Sequence, residues 1–562
     1  MRTDFVLLYF TLIRFGASTP QEMDAVNNVP FFYTNNYPIF LGNKADQGFS
    51  KDDNLEIQLL MMGDRNLYIG ARNAVYVLNL GESDADEIYY SDILVWNPSE
   101  HAQNKCRLYG QRERECNNFI KVILKRNKDT LFICGTNAFS PTCGHFQVDS
   151  LELEGDYIKG PGRCPHDRQH SNIALFADDN LYTGTVTDFQ GRDPIIYRSL
   201  GKLPNLRTVK YDSRWLKEPH FVHAVDYGDY IYFFFGEISV EYFGVEKVMI
   251  PRVARVCKDD VGGNAEFLEK EWTSFFKARL VCAHPGDPPL FFNHLESVTD
   301  VVNVNGRDMV FAIFTTPKNS LPTSACCAFA LDDIDKVFTG RFKQQRTPVS
   351  LWTPVPDDEV PTPRPGSCAG SGPLEGYTSS TDIPSDTLAF SRTHPLMDES
   401  VKAISQKPLF LRLPTKYAKE TLTRIVVDTA AGPNGDQTVL FIGSEGGWLS
   451  KVLFREKGSI FLEKMYIFNY KKCTSLDPKG SMIIDMKLDK PNQVLYAAFP
   501  RCVIKVPLGG CKRHGPCKKA CIRSRDPYCG WVNGACVHLT PGTSVSYEQD
   551  INRGNTDGLQ DC

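Results

Sequence analysis

Short apolar stretches alternate with polar turns along most of the chain, and one form of this pattern recurs seven times. In each repeat a turn containing Gly, Asn or Asp precedes an apolar stretch, as at 63–64 before LYIGA and at 305–306 before MVFAIF. Such turn residues favour tight hairpins, so each repeat is predicted to contain paired strands. The seven apolar stretches are residues 67–71, 131–135, 181–185, 231–236, 309–314, 439–444 and 494–499.

Seven repeated sheets predict an all-β fold, a seven-bladed β-propeller. A further apolar stretch follows each one, for example residues 74–80 and 448–454, and four of the six intervals between repeats are about 50 to 65 residues long. That length accommodates a four-stranded sheet with loop insertions. The alternative is a pair of β-sandwiches, which would also show alternating strands. The propeller is favoured because a sandwich requires no sevenfold repetition.

The interval between the fifth and sixth stretches is too long for one sheet. Residues 332–345 place four apolar residues on one face of a helix, namely Ile334, Val337, Phe338 and Phe342. A proline-rich stretch follows at residues 352–368. We therefore predict an insertion in blade 5, at about residues 331–400, which projects from the propeller and is a candidate binding element. A linker between two domains is disfavoured, because two further repeats follow and the ring requires them.

The N-terminal residues are typical of a secretory signal peptide, which we predict at residues 1–18. Arg2 precedes an apolar run at residues 5–13, and small residues follow at 16–18. This run is too short to cross a bilayer as a helix, and no other stretch approaches the length of a membrane span. Because the chain ends at Cys562 with no tail, we expect an extracellular ectodomain whose transmembrane tether is missing from this chain.

Five cysteines fall within residues 511–536, and their spacing favours disulfides over a metal site. Only Cys517 and Cys521 have the spacing of a zinc pair, and no second pair completes such a site. No Cys-x-x-Cys redox motif occurs in the chain. A secreted module of about fifty residues cannot bury a large core, so it requires covalent cross-links.

Composition narrows the classes of function that are open to the chain. Its 562 residues are 42% apolar and 23% charged, and its formal net charge is −4. This balance excludes a general electrostatic attraction to nucleic acid or to an anionic membrane. The acceptor pattern Asn-x-Ser/Thr is missing, so we expect little or no N-linked glycan.

The motifs of common catalytic sites are also missing. There is no Gly-x-Ser-x-Gly turn, no His-Glu-x-x-His and no phosphate loop, and the carboxylates form no recognisable glycosidase pair. The pairs His166/His170 and His220/His223 have spacings compatible with a metal, but neither has a third ligand nearby. We therefore predict no catalytic residues, no cofactor, no metal and no small-molecule substrate. A propeller glycosidase is the remote alternative.

Five segments together resemble the semaphorin family. They are residues 134–143, 187–201, 215–235, 340–345 and 525–531. The resemblance implies a sema propeller at residues 19–508, followed by a small plexin–semaphorin–integrin (PSI) module at 509–562. Two further segments, 363–370 and 393–401, look most like the transmembrane classes 1 and 6 of that family.

The resemblance also implies eight disulfides. They are Cys106–Cys116, Cys134–Cys143, Cys257–Cys368, Cys282–Cys327, Cys473–Cys502, Cys511–Cys529, Cys517–Cys562 and Cys521–Cys536. Cys164 and Cys326 remain, and Cys164 is expected to be a buried thiol as in related sequences. Three states stay open for Cys326: a free thiol, a bond to Cys164, or an intermolecular bond.

Semaphorins bind plexin receptors and guide axons and migrating cells, commonly as homodimers, so the resemblance implies a homodimeric guidance ligand. The residues that match plexin contacts are Gln190, Lys210, Tyr211, Asp212, Arg392 and His394, and those that match the dimer interface are Leu321 and Pro322. Phe189, beside Gln190, is expected in the core. The alternative is a receptor built on the same fold, such as a plexin or a growth-factor receptor.

The basic segment 511–519 is compatible with a weak glycosaminoglycan contact. A solvated loop in a small module is the simpler interpretation.

Overall fold

The computed structural model describes residues 28–43, 55–81, 86–242, 246–317, 319–347, 349–414, 420–473 and 480–562. The signal peptide predicted at residues 1–18 lies outside these ranges. Within them, seven sheets of four or five strands follow one another around a ring. We call the strand given first for each sheet below its first strand, and we number the sheets 1 to 7 by the order of these strands along the chain.

The strands of the seven sheets have the following bounds. Sheet 1 contains Leu59–Met62, Asn66–Gly70, Ala74–Asn79 and Asp92–Val95. Sheet 2 contains Ile120–Lys125, Thr130–Gly135, Thr142–Gln147 and Leu153–Lys159. Sheet 3 contains Ile173–Ala177, Asn180–Val186, Pro194–Ser199 and Leu206–Arg207. Sheet 4 contains His220–Tyr227, Tyr230–Ile238, Met249–Cys257, Phe276–Val281 and Leu396–Lys402.

The remaining sheets follow the insertion and close the ring. Sheet 5 contains His294–Val298, Val302–Val304, Arg307–Thr315, Ser324–Ala330 and Phe410–Arg412. Sheet 6 contains Leu422–Ala431, Gln437–Ser444, Trp448–Leu453, Ile460–Tyr466 and Asn28–Val29. Sheet 7 contains Asp485–Asp489, Val494–Phe499, Cys502–Pro507, Ile39–Phe40 and Glu87–Ile88. The α-helices are Phe31–Thr34, Glu100–Leu108, Leu331–Phe338, Ser385–Thr393 and Lys518–Arg523.

The predicted seven-bladed propeller is confirmed. Each of the seven apolar stretches found in the sequence coincides with the strand that pairs with the first strand of its sheet, and only the first stretch extends one residue beyond its strand, to Ala71. The first strands of neighbouring sheets contact one another around a complete circle, so the sheets form a closed ring. Gly184 shows how tightly the sheets approach, since a Cβ there would lie 2.8 Å from the ring of Phe221 in the next sheet.

The ring is closed by a strand from the start of the described chain, which the sequence pattern did not predict. Ile39 pairs with Ile504 and Phe40 pairs with Val503, so a two-residue strand completes sheet 7 beside its third strand. Both Ile39 and Phe40 are buried. This pairing joins the two ends of the propeller through backbone hydrogen bonds and apolar contacts, and it removes an exposed sheet edge.

Strand directions assign the loops to two ends of the ring. In sheets 3 and 4 the second strand pairs antiparallel with both the first and the third strand. The turns that follow the first strands therefore lie together at one end of the ring. The loops between the Asn180–Val186 and Pro194–Ser199 strands of sheet 3, and between the Arg307–Thr315 and Ser324–Ala330 strands of sheet 5, lie at the opposite end. We call this opposite end the upper end. The segments that connect one sheet to the next also lie at the upper end.

The insertion in blade 5 occupies the residues between the Ser324–Ala330 and Phe410–Arg412 strands, but it does not project from the propeller as predicted. The helix Leu331–Phe338 is shorter than the predicted segment, and Phe342 beyond it is still buried in the same core as Phe276. The strand Leu396–Lys402 then joins sheet 4 parallel to Phe276–Val281. The insertion packs on the propeller because it contains apolar residues, and burying them against sheets 4 and 5 is more favourable than exposing them to solvent.

The structure joins sixteen of the eighteen cysteines in eight pairs, the same pairs that the resemblance implies. They are Cys106–Cys116, Cys134–Cys143, Cys257–Cys368, Cys282–Cys327, Cys473–Cys502, Cys511–Cys529, Cys517–Cys562 and Cys521–Cys536. Cys164 and Cys326 are buried free thiols, so they are not bonded to each other. Cys326 and its neighbour Cys327 lie in different hydrophobic clusters, as expected for adjacent residues of a strand.

The C-terminal module, predicted at residues 509–562, consists of a 3-10 turn at Cys511–His514, the helix Lys518–Arg523 and a hairpin of Cys529–Val532 with Ala535–His538. It packs on sheet 6, where Tyr528 donates a hydrogen bond of 2.6 Å to Asp428. None of the helices in the described ranges has the length and apolar composition needed to span a bilayer.

Candidate functional site

The six residues predicted to contact a plexin lie on three segments around sheets 3 and 4. We call them the sheet 3–4 surface: Gln190, Lys210, Tyr211, Asp212, Arg392 and His394. The first is in the loop between the second and third strands of sheet 3, the next three are in the connection to sheet 4, and the last two are at the end of the helix Ser385–Thr393.

Two side-chain contacts bring these segments together. Trp215, in the connection between the sheets, donates a hydrogen bond of 2.9 Å from Nε1 to the backbone carbonyl of Arg392. Asp193, in the loop that contains Gln190, forms an ion pair of 2.7 Å with Arg207 at the start of the connection. The fold therefore assembles one surface from parts of the chain that are distant in sequence.

Tyr211 is the most exposed aromatic residue of this surface, with 73% of its area accessible. Its backbone φ is +57°, which lies in the left-handed region that tyrosine rarely adopts. The ammonium of Lys210 lies 4.8 Å from the centre of its ring. A strained backbone that holds a tyrosine in solvent is typical of a residue whose position serves binding.

Asp212 is half-buried and carries its charge at neutral pH. Burial acts to raise the pKa of its carboxyl, but the hydrogen bond and charge of Arg214 outweigh this and lower it. Asp212 also accepts backbone hydrogen bonds from Trp215 at 3.0 Å and Leu216 at 3.3 Å through its carbonyl. Its position is thus fixed by the turn that follows it.

Arg392 and His394 differ in what they offer a partner. Arg392 is exposed at the end of its helix. His394 stacks on Phe390 with 4.1 Å between ring centres, and its Nδ1 lies 2.9 Å from the hydroxyl of Thr393. Burial lowers the pKa of His394, so its imidazole is neutral at pH 7 and the cationic part of this segment is Arg392.

The expectation that Phe189 belongs to the core is wrong. Phe189 is 43% exposed, and its ring stacks on that of Tyr109 at 5.6 Å with an interplanar angle of 5°. The physical reason is the shape of the loop, in which the Asp188 carboxylate accepts backbone hydrogen bonds from Gln190 and Asp193 and so closes a tight turn. Such a turn directs Phe189 outward.

Tyr109 and its neighbour Leu108 are surface residues that the sequence analysis missed. Leu108 is 86% exposed at the end of the helix Glu100–Leu108, and Lys105 lies 5.8 Å from the ring centre of Tyr109. Apolar residues at the end of a short helix carry no local signal that separates exposed from buried positions.

The predicted dimer residues lie in the upper loop of sheet 5. Leu321 is 74% exposed and Pro322 is partly exposed. The hydroxyl of Thr316 donates a hydrogen bond of 2.6 Å to the carbonyl of Leu321, which fixes the loop. Leu321 thus presents an apolar side chain at the same end of the ring as the loop of Gln190.

No set of free metal ligands forms among the described residues. Their one cluster of three potential ligands contains Cys257 and Cys368, which are bonded to each other. His223 instead lies 2.9 Å from Asp300, in a surface pair.

Several cations of the basic segment 511–519 are paired. Arg513 forms an ion pair with Glu463, Lys518 with Glu548 at 2.6 Å, and Lys519 with Asp561 at 2.7 Å. These carboxylates reduce the local positive charge that an anionic polysaccharide would need.

Comparisons with known proteins agree with the fold, a propeller followed by a small cysteine-rich module. The family model described as Sema domain matches residues 295–477, and the one described as Plexin repeat matches residues 510–562. Semaphorin-6A of Homo sapiens is 53% identical over 571 aligned positions, which cover 100% of this chain and 55% of the human protein. The chain thus spans about half the length of the curated relatives it matches.

The solved structures that resemble this chain also include semaphorins. The structure of Drosophila Semaphorin 1a, extracellular domains 1-2, superposes with a TM-score of 0.78 at 32% identity and covers 93% of this chain and 99% of its own. A second structure, Drosophila Plexin A in complex with Semaphorin 1b, also gives a TM-score of 0.78, at 29% identity, and covers 94% of this chain and 97% of the matched one.

Proposed function

Because the chain belongs to the semaphorin family, we propose that it is an extracellular guidance ligand that binds the ectodomain of a plexin receptor. Members of this family are signalling ligands and not enzymes. Support for the partner comes from a similar structure, in which a semaphorin is in complex with Plexin A.

The observation that carries the proposal is the joining of three distant segments into the sheet 3–4 surface. It combines an exposed tyrosine, an arginine and polar groups on a rigid ring. Tyrosine and arginine are enriched among residues that dominate binding energy in protein interfaces. A rigid scaffold also lowers the entropy cost of docking, because its loops are already ordered.

We propose that two copies of the chain associate through Leu321 and Pro322. A twofold contact uses the same patch on both copies, so a single exposed apolar loop can be repeated across the axis. Such a dimer presents two sheet 3–4 surfaces and would bring two receptors together. This is the form in which the ligand would signal in axon guidance and cell migration.

We place the protein outside the cell, tethered by a segment that is not part of this chain. The support is chemical: eight disulfides persist in an oxidising environment and are rare in the cytosol. A weak glycosaminoglycan contact at 511–519 is not favoured, since three of its cations have carboxylate partners.

Binding to a panel of plexin ectodomains, measured by surface plasmon resonance, tests the proposed partner. Arg392→Glu is expected to weaken binding by at least about tenfold, because reversing an exposed charge at an interface opposes docking. Arg553→Glu is the matched control, since Arg553 is an exposed arginine on the PSI module. Equal affinities for the two variants would reject the mapping, and no binding by the unmodified protein would reject the partner.

A further inference from the structure

Lys277 lies beneath the sheet 3–4 surface, in the Phe276–Val281 strand of sheet 4, and its side chain is fully buried. Its ammonium forms an ion pair of 2.6 Å with Glu237 and donates a hydrogen bond of 2.8 Å to the backbone carbonyl of Trp215. A buried ammonium is unfavourable unless it is paired. These two contacts therefore account for its presence in the core.

Four charges balance in this part of the core. Glu237 also forms an ion pair of 2.8 Å with Arg252, and Arg252 pairs with Glu241 at 2.6 Å. Burial lowers the pKa of Lys277, and the charge of Glu237 opposes this shift. For the carboxyl of Glu241 burial acts in the opposite direction and raises the pKa. The charge and hydrogen bond of Arg252 outweigh this effect and bring the pKa of Glu241 to about 2. Two carboxylates thus neutralise two bases.

Lys277 holds one segment of the surface through its side chain. Its ammonium binds the Trp215 carbonyl, and its partner Glu237 accepts a hydrogen bond of 3.2 Å from the backbone amide of Lys217. The turn that starts at Asp212 is therefore fixed at both Trp215 and Lys217. Trp215 is also packed against Phe275, with 4.8 Å between ring centres.

The same residue holds the second segment through its backbone. The amide of Lys277 donates a hydrogen bond of 2.8 Å to the carbonyl of Pro395. Trp215 then links the two segments directly, through the bond from its Nε1 to the carbonyl of Arg392. Lys277 lies where both sets of contacts meet.

We propose that Lys277 is a positioning residue that holds two segments together, the connection that contains Tyr211 (residues 210–217) and the segment that contains Arg392 (residues 392–395). The two segments then form one binding surface. The consequence for affinity rests on the proposed plexin-binding function, whereas the positioning rests on geometry alone. A hydrophobic side chain of similar length can fill the same space, but it cannot donate to the Trp215 carbonyl. Replacing Lys277 with such a side chain therefore keeps the packing of the core but removes the hydrogen bond that positions Trp215.

Three variants of the whole chain test this role. Lys277→Met removes the donor and leaves one excess negative charge in the core. Lys277→Met/Glu241→Gln also removes the donor but restores the balance of charge. Lys451→Met is the matched control, because Lys451 is likewise fully buried, donates to the Leu508 carbonyl at 2.6 Å and pairs with a carboxylate, but lies in sheet 6.

Hydrogen–deuterium exchange measures the positioning without any partner. The amides of Trp215 and Leu216, which donate to the Asp212 carbonyl, are expected to exchange at least about tenfold faster in both Lys277 variants. They are expected to be unchanged in Lys451→Met. Unchanged exchange in the double variant overturns the proposal, whatever the protein binds.

Affinity for the plexin that binds the unmodified protein measures the consequence. Both Lys277 variants are expected to bind at least about tenfold more weakly, and the double variant is expected to regain thermal stability without regaining affinity. Recovery of both would show that Lys277 acts only through charge balance, which overturns the proposal. If the unmodified protein binds no plexin, the proposed function fails while the exchange result still decides the positioning.

If neither Lys277 variant is secreted, Trp215→Phe tests the arrangement that Lys277 supports, namely the link between the two segments. It removes the bond to the Arg392 carbonyl but keeps an aromatic ring against Phe275. Faster exchange at the amides of residues 392–394 and weaker binding support the linked arrangement. Unchanged exchange and affinity overturn it.

Discussion

Trp215 donates a hydrogen bond of 2.9 Å from its indole nitrogen to the backbone carbonyl of Arg392, across 177 residues of sequence. Trp215 is buried and Arg392 is exposed, so the bond connects the core to the surface. It fixes the backbone of Arg392 while leaving the guanidinium free to meet a partner. The candidate interface therefore depends on tertiary contacts that no single segment provides.

Tyr211→Gly is expected to weaken plexin binding without lowering stability. Glycine adopts a φ of +57° without the steric cost that tyrosine bears, and this gain offsets the flexibility that glycine adds to the unfolded chain. Loss of the exposed ring removes a contact residue, so plexin affinity should fall by at least about tenfold. Thermal unfolding and surface plasmon resonance measure the two effects.

Asn533→Gly is the control for this substitution, because Asn533 also has a left-handed backbone but lies in the hairpin of the PSI module. It should leave the plexin affinity unchanged. If Tyr211→Gly retains full affinity, the tyrosine ring is not part of the interface.

Leu321→Glu is expected to convert the proposed dimer into a monomer. Two copies of Leu321 would face each other near the twofold axis, and burying two carboxylates there is unfavourable. Light scattering should report the mass of one chain. Leu351→Glu is the control, since Leu351 is exposed to a similar degree, 72% against 74%, on the insertion. A similar fall in mass for both variants would argue against a specific contact.

How much of this could be read from the sequence depends on how local each feature is. The seven second strands were predictable, because alternating apolar residues and turn residues are set within a few positions. The closing strand Ile39–Phe40 has two residues, too few for any pattern, and its partner lies at the far end of the propeller.

The surface was harder to predict than the fold. Composition predicts a core position for Phe189, because aromatic residues are usually buried, but a turn held by the Asp188 carboxylate directs it outward. Lys277 looks like any surface lysine in the sequence. Only the folded arrangement of Glu237 and Trp215 explains why it is buried.

The two free thiols should be inert in the native protein. Burial raises the pKa of Cys164 to about 12 and raises that of Cys326 as well, so neither forms an appreciable thiolate at neutral pH. Alkylation of the native protein without reduction should label neither, and alkylation after denaturation should label two. Mass spectrometry counts the labels, and fewer than two after denaturation would mean that these cysteines are bonded.

Asp526→Asn should destabilise the junction of the PSI module and sheet 6. Asp526 forms an ion pair of 2.6 Å with the fully buried Lys451, and its loss leaves that buried ammonium with the more distant carboxylate of Glu463, at 3.6 Å, at a cost of up to about 3–5 kcal/mol. Asp561→Asn is the control, because Asp561 pairs with Lys519 while 93% exposed and should change stability little. Urea unfolding compares the two variants, and equal midpoints would contradict a structural role for the buried pair.

Acid should weaken the same junction through His514. Burial, together with the charge of Arg513, lowers the pKa of His514 to about 4, although Asp526 opposes the shift. In the unfolded chain the pKa is about 6.5, so the unfolded state takes up a proton first as the pH falls. The stabilisation is therefore complete above pH 6.5 and is lost progressively between pH 6.5 and pH 4. Thermal unfolding at pH 7 and pH 5 should show a decrease in midpoint that is smaller in His514→Gln, and an identical decrease in both proteins would assign the acid sensitivity to other groups.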